Sequence, residues 1–162
     1  MPSVERLNPR RHDRAAFQCR EPSLDRYLRE QAVQHHRDGI ATTHVLIEPA
    51  APARILGYYS LSAAQVLLED LREADRRRLP RYPVPAVRMG RLAVAADEQG
   101  KGHGGTLLAH AVARCLDLRE QLGVRALLVD ALNDAATAFY RSHGFRECAS
   151  GARSLYLPLG CP

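Results

Sequence analysis

Lysine is almost missing from this chain. Of 23 Lys and Arg residues among 162, only Lys101 is a lysine, and the formal net charge is +5. A GC-rich genome, which favours arginine codons, is the bland cause, so the total charge alone does not define a partner. Long apolar runs are missing too. The longest nearly apolar stretch, ILGYYSLSAAQVLL (55–68), holds two serines and a glutamine. It is too short and too polar to span a bilayer. The opening MPSVERLNPRRHDR has no apolar h-region, so no secretory signal is expected. The four cysteines Cys19, Cys115, Cys148 and Cys161 are scattered, with no CxxC or zinc-ligand spacing, and the histidines form no HxxxH or HExxH pattern. Reduced thiols and no metal site are the expectation. No repeat, low-complexity tract or Pro/Gly-rich linker divides the chain. One domain over 1–162, large enough to bury a core, is expected.

Glycine, by contrast, is concentrated. DEQGKGHGG (97–105) contains Gly100, Gly102, Gly104 and Gly105. Glycine takes positive φ and lets a ligand reach the backbone. Peptide N–H groups leading into a helix N-terminus attract anions. The stretch is therefore a candidate phosphate cradle, with a flexible turn as the competing reading.

The flanking elements follow from periodicity. SVERL reads as a first strand. PSLDRYLREQAVQHHRDG (22–39) reads as one helix, with Ser23 as N-cap, an apolar stripe of Leu24, Tyr27, Leu28 and Ala32, and Gly39 as the stop. Residues 41–48 and 54–63 read as strands joined by a hairpin turn at EPAAPA. LEDLREADRRR (68–78) reads as a short helix and LPRYPVP (79–85) as a proline-fixed extended loop. A strand over 86–95 then runs into the glycines. A helix over 104–123, a strand over 125–131, a helix over 133–144 beginning at Asn133, and strands at FRECA and RSLYLPL complete the order. Hairpins at both ends and crossovers in the middle require a mixed sheet in an α/β (α+β) fold.

A Walker loop needs Ser or Thr after its lysine, but Gly102 follows Lys101. Gly100, Gly102 and Gly105 spell GxGxxG. Asp97, Glu98 and Gln99 separate them from the strand, however, and little chain follows for a Rossmann array. The remaining reading is Q-x-x-G-x-G, formed by Gln99, Gly102 and Gly104 after RLAV and before a helix. This resembles the acetyl-CoA pyrophosphate loop of the GNAT acetyltransferase superfamily. NDAATAFYRSHGF (133–145) is similar to that family's N-x-x-A-x-x-[FL]-Y-x-x-x-G-F segment. The GNAT acyl-CoA N-acyltransferase fold, a mixed central sheet with helices on both faces, is implied. GYYSLSAAQV, LPRYPVPAVRMGRLAV, SLYLPL and FQCREPSLDRYLREQA look like the toxin branch, the TacT-type toxins of bacterial toxin–antitoxin pairs.

That resemblance implies a cytoplasmic, often dimeric enzyme. It would acetylate the α-amino group of aminoacyl-tRNA and be held inactive by a ribbon-helix-helix antitoxin. It assigns acetyl-CoA to Gln99, Gly100, Lys101, Gly102, His103, Gly104 and Gly105, to the backbone of Leu92, Ala93 and Val94, and to Asn133 and Ala136. It makes Tyr140 the general acid. A phenol's pKa is about 10 and a thiol's about 8.5, so a tyrosine stays protonated at neutral pH and can protonate the departing sulfur. For Tyr140 the alternative role is core packing, and for Asn133 a plain helix cap. No obvious base is present, with His143 and His44 as fallbacks. An α-amine, pKa about 7.7–8.0 and lower when its carboxyl is esterified, is largely neutral without one.

A basic strip runs through 71–91, with Arg72, Arg76, Arg77, Arg78, Arg81, Arg88 and Arg91 against Glu73 and Asp75. Arg78, Arg81 and Arg91 flank the proline-rich loop and are the candidate tRNA contacts. Two other functions remain open on these residues. One is acetylation of a small amine or a protein N-terminus. The other is a non-catalytic nucleic-acid-binding regulator on the same fold.

Overall fold

A parallel strand pair cannot be closed by a hairpin, and that requirement organises the chain. The computed structural model describes residues 1–77, 79–80, 83–149, 151 and 153–160. Seven strands form one sheet: β1 (Ser3–Arg6), β2 (Thr42–Ile47), β3 (Gly57–Val66), β4 (Val84–Val94), β5 (Ala126–Asp130), β6 (Arg146–Glu147) and β7 (Ser154–Pro158). Their order is β1-β2-β3-β4-β5-β7-β6. The β1/β2, β2/β3, β5/β7 and β6/β7 pairs are antiparallel, whereas β4/β5 is parallel. The expected mixed sheet is therefore present, and helix α4 (His103–Leu118) supplies the crossover between the parallel strands.

Two compact units divide the residues: Met1–Ser62 with Gly90–Ala111, and Ala63–Met89 with Val112–Pro162. In the first, Phe17, Tyr27, Leu28, Val45, Tyr58 and Ala93 are among the buried core. Phe17 meets Tyr58 edge-on at 5.5 Å, and the Tyr58 hydroxyl donates to the Leu24 carbonyl at 2.7 Å. In the second, Val66, Leu71, Val84, Leu128 and Tyr156 are buried together.

The helix expected over 22–39 is two helices, α1 (Pro22–Glu30) and α2 (Ala32–Arg37). Gln31 leaves helical geometry at φ −122°, ψ −30°, while Ala32 beyond it is fully buried. Pro22 starts α1, so Glu21 and not Ser23 holds the cap position. Gly39 stops the segment at φ +72° as expected.

The helix expected over 68–78 is a 3₁₀ turn (Leu68–Asp70) and a single turn, α3 (Glu73–Arg76). The third strand begins at Gly57 rather than 54 and runs on to Val66. Helix α4 stops at Leu118, where Gln121 N bonds Leu118 O and Glu120 N bonds Asp117 O in i→i+3 fashion. Helix α5 (Asp134–Ser142) lies where expected. No helix among the described residues is long and apolar enough to cross a membrane. Cys19, Cys115 and Cys148 are free and buried, and Cys161 lies outside the described residues.

Gly57 fixes how closely β3 and α4 approach the end of β4. A Cβ there would stand 2.7 Å from the Ala93 carbonyl oxygen and 2.8 Å from Leu107 Cδ1. The first of these is backbone and cannot step aside. Gly57→Ala should therefore cost about 1–3 kcal/mol, the usual range for overpacking, and lower Tm by roughly 2–10 °C. A thermal melt matching the unsubstituted protein would show that this approach is looser than the structure has it.

Candidate functional site

The glycine segment joins β4 to α4 inside the first unit. After β4 the chain makes a 3₁₀ turn at Ala96–Glu98. Gln99 then fastens the loop from within: its side-chain amide donates to the carbonyls of Val94 and Cys19, each at 3.0 Å. Gln99 thus holds the loop against the end of β4 by its own hydrogen bonds. Gly100 and Gly102 take φ +83° and +86°, and a Cβ on either would meet nothing within 4 Å. Glycine is required here by the backbone conformation, and the open space beside it is room for a ligand. His103, Gly104 and Gly105 form the first turn of α4, where N–H groups have no intrahelical acceptor. Positive-φ glycines, open space and a helix N-terminus together suit a phosphate group.

The loop's charges are more committed than the sequence suggests. Lys101 Nζ lies 2.9 Å from Glu98 Oε2, His103 Nε2 lies 3.1 Å from Glu98 Oε1, and Arg54 Nη1 approaches Glu98 at 3.6 Å. Arg54 also pairs with Asp97 at 2.7 Å. The Lys101 and His103 hydrogen bonds hold the Glu98 carboxyl below its usual range. Lys101 is therefore an ion-pair partner as well as a candidate phosphate contact. Glu98 and Arg54 are the residues the motif reading missed. The signal was weak, because Arg54 is distant in sequence and an acid beside a phosphate loop looks unfavourable until its cations are seen.

Of the strand residues expected to meet the donor, Ala93 is buried and Leu92 and Val94 are half-buried. The ladder of β4 with β5 pairs Ala86–Met89 with Ala126–Val129 and stops short of Leu92. Arg91 sets its guanidinium 3.5 Å above the centroid of the Tyr27 ring. That contact is a cation–π interaction and competes with any role on a phosphate. His44 is buried in β2, its ring stacked on Tyr59 at 5.2 Å.

In the second unit, α5 carries three of the expected residues. Asn133 is its N-cap, its Oδ1 accepting from Ala136 N at 2.9 Å. The capping role is realised, and the side-chain N–H₂ points to no acceptor among the described residues. Ala136 is half-buried. Tyr140 is 6% exposed and packs between Phe139 and Phe145, with ring centroids at 5.4 and 5.3 Å. Burial pushes its phenol pKa upward, and the Asp130 charge adds to the effect. No hydrogen bond engages its hydroxyl among the described residues. His143 is the exposed C-cap of α5, its Nδ1 2.8 Å from the Phe139 carbonyl, an ordinary helix-end role.

The arginine strip is not uniform. Arg88 pairs with Asp130. Arg72, Arg76 and Arg77 are exposed. Arg78 and Arg81 lie outside the described residues.

Comparison with known proteins agrees with this geometry. The acetyltransferase (GNAT) domain model matches residues 53–147. A tRNA-acetylating toxin of Mycobacterium tuberculosis (strain ATCC 25618 / H37Rv) is 41% identical over 128 residues, 79% of this chain and 75% of the relative. The structure of AtaT complexed with acetyl-methionyl-tRNAfMet superposes with TM-score 0.91 at 30% identity, covering 98% of this chain and 95% of AtaT. A tyrosine-to-phenylalanine mutant of AtaT, bound to acetyl-CoA and the C-terminus of the antitoxin AtaR, gives TM-score 0.82 at 30% identity over 98% and 93% of the two chains. With the loop, the cap and the tyrosine in the family's order, and a match across most of its length, the chain belongs to the GNAT acetyltransferase family, in its toxin branch.

Proposed function

We propose that the protein transfers the acetyl group of acetyl-CoA to the α-amino group of an amino acid esterified to tRNA, and so blocks translation. The observation that carries this reading is the whole-length likeness to AtaT in its complex with acetyl-methionyl-tRNAfMet. The entire chain, 1–162, acts as one acetyltransferase domain in the cytoplasm. It works as a homodimer and is restrained by a ribbon-helix-helix antitoxin. The antitoxin assignment is supported by the AtaT–AtaR assembly.

The residues support this chemistry as follows. Acetyl-CoA supplies an activated thioester. The N–H groups of Gly102, His103, Gly104 and Gly105 hold its pyrophosphate, while Gly100 and Gly102 give the turn that aims them. Gln99 keeps this loop beside Val94. The backbone of Leu92, Ala93 and Val94 pairs with the pantetheine arm, and an N–H there polarises the thioester carbonyl. Asn133 and Ala136 flank the arm from the start of α5. The neutral α-amine forms the new C–N bond as the C–S bond breaks. Tyr140 gives its phenolic proton to the leaving sulfur, the ammonium formed on the acceptor loses a proton to water, and the phenolate takes a proton back from water to restore the acid. Burial suits Tyr140 to this, because its phenol remains protonated well above neutral pH. No protein base is needed for an α-amine that is already largely neutral.

Two outcomes test the assignment of roles. Gly102→Val forces a β-branched side chain into φ +86° and into the open space of the cradle. Acetyl-CoA affinity by calorimetry should fall more than tenfold while the protein stays folded. Unchanged affinity would move the pyrophosphate elsewhere.

Tyr140→Phe keeps the ring and removes the hydroxyl. Single-turnover acetylation of charged tRNA should slow by about 10²–10⁴, the range for one positioned acid, with acetyl-CoA affinity nearly unchanged. In the unsubstituted enzyme, kcat should rise with pH as the α-amine deprotonates. It should then stay level through pH 9, because the raised phenol pKa leaves the acid form intact. A rate within threefold of normal in the variant, or an alkaline fall in kcat below pH 9 that persists unchanged in the variant alongside a near-normal rate, would take Tyr140 out of this role.

A further inference from the structure

An acid in the middle of an arginine strip works against binding a polyanion, so Asp75 needs an explanation. It lies in α3 between the exposed Arg72, Arg76 and Arg77, yet its side chain is only 14% exposed. Its carboxylate turns inward. The Tyr156 hydroxyl donates to Oδ2 at 2.6 Å, and Arg146 donates to Oδ1. The same Tyr156 oxygen accepts from the backbone N–H of Arg72 at 2.8 Å. Tyr156 is fully buried in β7, and Arg146 sits opposite it in the β6/β7 register. Leu71 is buried beside this network, and Ala149 N bonds the Asp70 carbonyl at 3.2 Å. A single turn of helix has no stability of its own. The segment that carries Arg72, Arg76 and Arg77 is thus tied at Arg72 and at Asp75 by one set of hydrogen bonds.

We propose that Asp75 and Tyr156 are positioning residues for the acceptor: they fix the arginine-bearing turn Arg72–Arg77 so that its guanidinium groups meet tRNA phosphates in one arrangement. The proposal rests on the tRNA reading above. It has a sign that charge alone does not share. Removing a negative charge beside three arginines should tighten polyanion binding on Coulomb grounds. Loss of positioning should weaken it. A purely structural role should lower Tm and leave KM alone.

The experiment compares Asp75→Asn and Tyr156→Phe with the double variant Arg76→Gln/Arg77→Gln. KM and kcat for charged tRNA, the Kd for tRNA by anisotropy, the acetyl-CoA Kd and Tm are measured for each between 50 and 200 mM salt. Asp75→Asn should raise KM and Kd for tRNA about three- to tenfold, with kcat and acetyl-CoA affinity within twofold. Tyr156→Phe should act in the same direction and more weakly, and serves if Asp75→Asn folds poorly. The arginine double variant should raise KM and flatten the salt dependence, because fewer counterions are released. Adding Asp75→Asn to it should bring a smaller rise than it does in the unsubstituted enzyme, since the acid acts through these arginines and only Arg72 of the three remains.

A lowered or unchanged KM in Asp75→Asn and Tyr156→Phe, with the arginine variant impaired, overturns the positioning role alone. An arginine variant that binds tRNA normally overturns the phosphate-contacting strip and the positioning role with it. Absence of any turnover on charged tRNA by the unsubstituted enzyme overturns the proposed function and this inference together.

Discussion

Parallel pairing of β4 with β5 is the constraint from which the loop and helix arrangement follows. The chain leaves β4 and must return in the same direction to form β5. It does so through α4, and the entry to that crossover helix is forced to lie just beyond the strand's end. An N-terminal helix turn beside a strand end already has unsatisfied N–H groups. Gly100 and Gly102 are what let the backbone turn sharply enough to present them. The loop's suitability for an anion is therefore a consequence of topology, refined by glycine. Gly57 completes the arrangement from the other side, because its missing Cβ lets β3 approach the Ala93 carbonyl.

Several of the candidate residues have a structural duty as well as a proposed chemical one. Asn133 caps α5 through Oδ1, which orients the helix that carries Tyr140. Gln99 spends its amide on Val94 and Cys19. Glu98 gathers Lys101, His103 and Arg54. This sharing is economical in a loop: a group held by its own hydrogen bonds loses little further freedom when a ligand arrives.

The glycine loop and the α5 motif were legible in the sequence because both are local. Positive φ calls for glycine within one turn, and an N-cap asparagine bonds three residues ahead. The succession of strands and helices along the chain around them was legible for the same reason, since alternation and turns are short-range signals. What escaped depends on distant partners. The break at Gln31 continues the apolar stripe through Ala32, so no change of period announces it. LEDLREADRRR has the composition of a helix. Its one α-helical turn, Glu73–Arg76, is held because Tyr156, far along the chain, binds both Arg72 and Asp75. The Arg54 pairing with Asp97 and Glu98 is equally remote in sequence.

Counting arginines therefore overstates the surface that a polyanion can meet. Arg88 is neutralised by Asp130, Arg146 by Asp75, and Arg91 lies flat on Tyr27. These guanidinium groups hold the fold, and the planar, multiply donating head suits them to it. What remains for recognition in the described part of the strip is a small set, Arg72, Arg76 and Arg77, on one short turn. A turn of that length cannot keep its own shape, so the direction in which its charges point is decided by what anchors it. On the proposed tRNA reading, electrostatic recognition at this surface is in that sense a packing property. The positive groups face solvent, and the geometry that makes them useful is set by a buried tyrosine and an inward-facing acid.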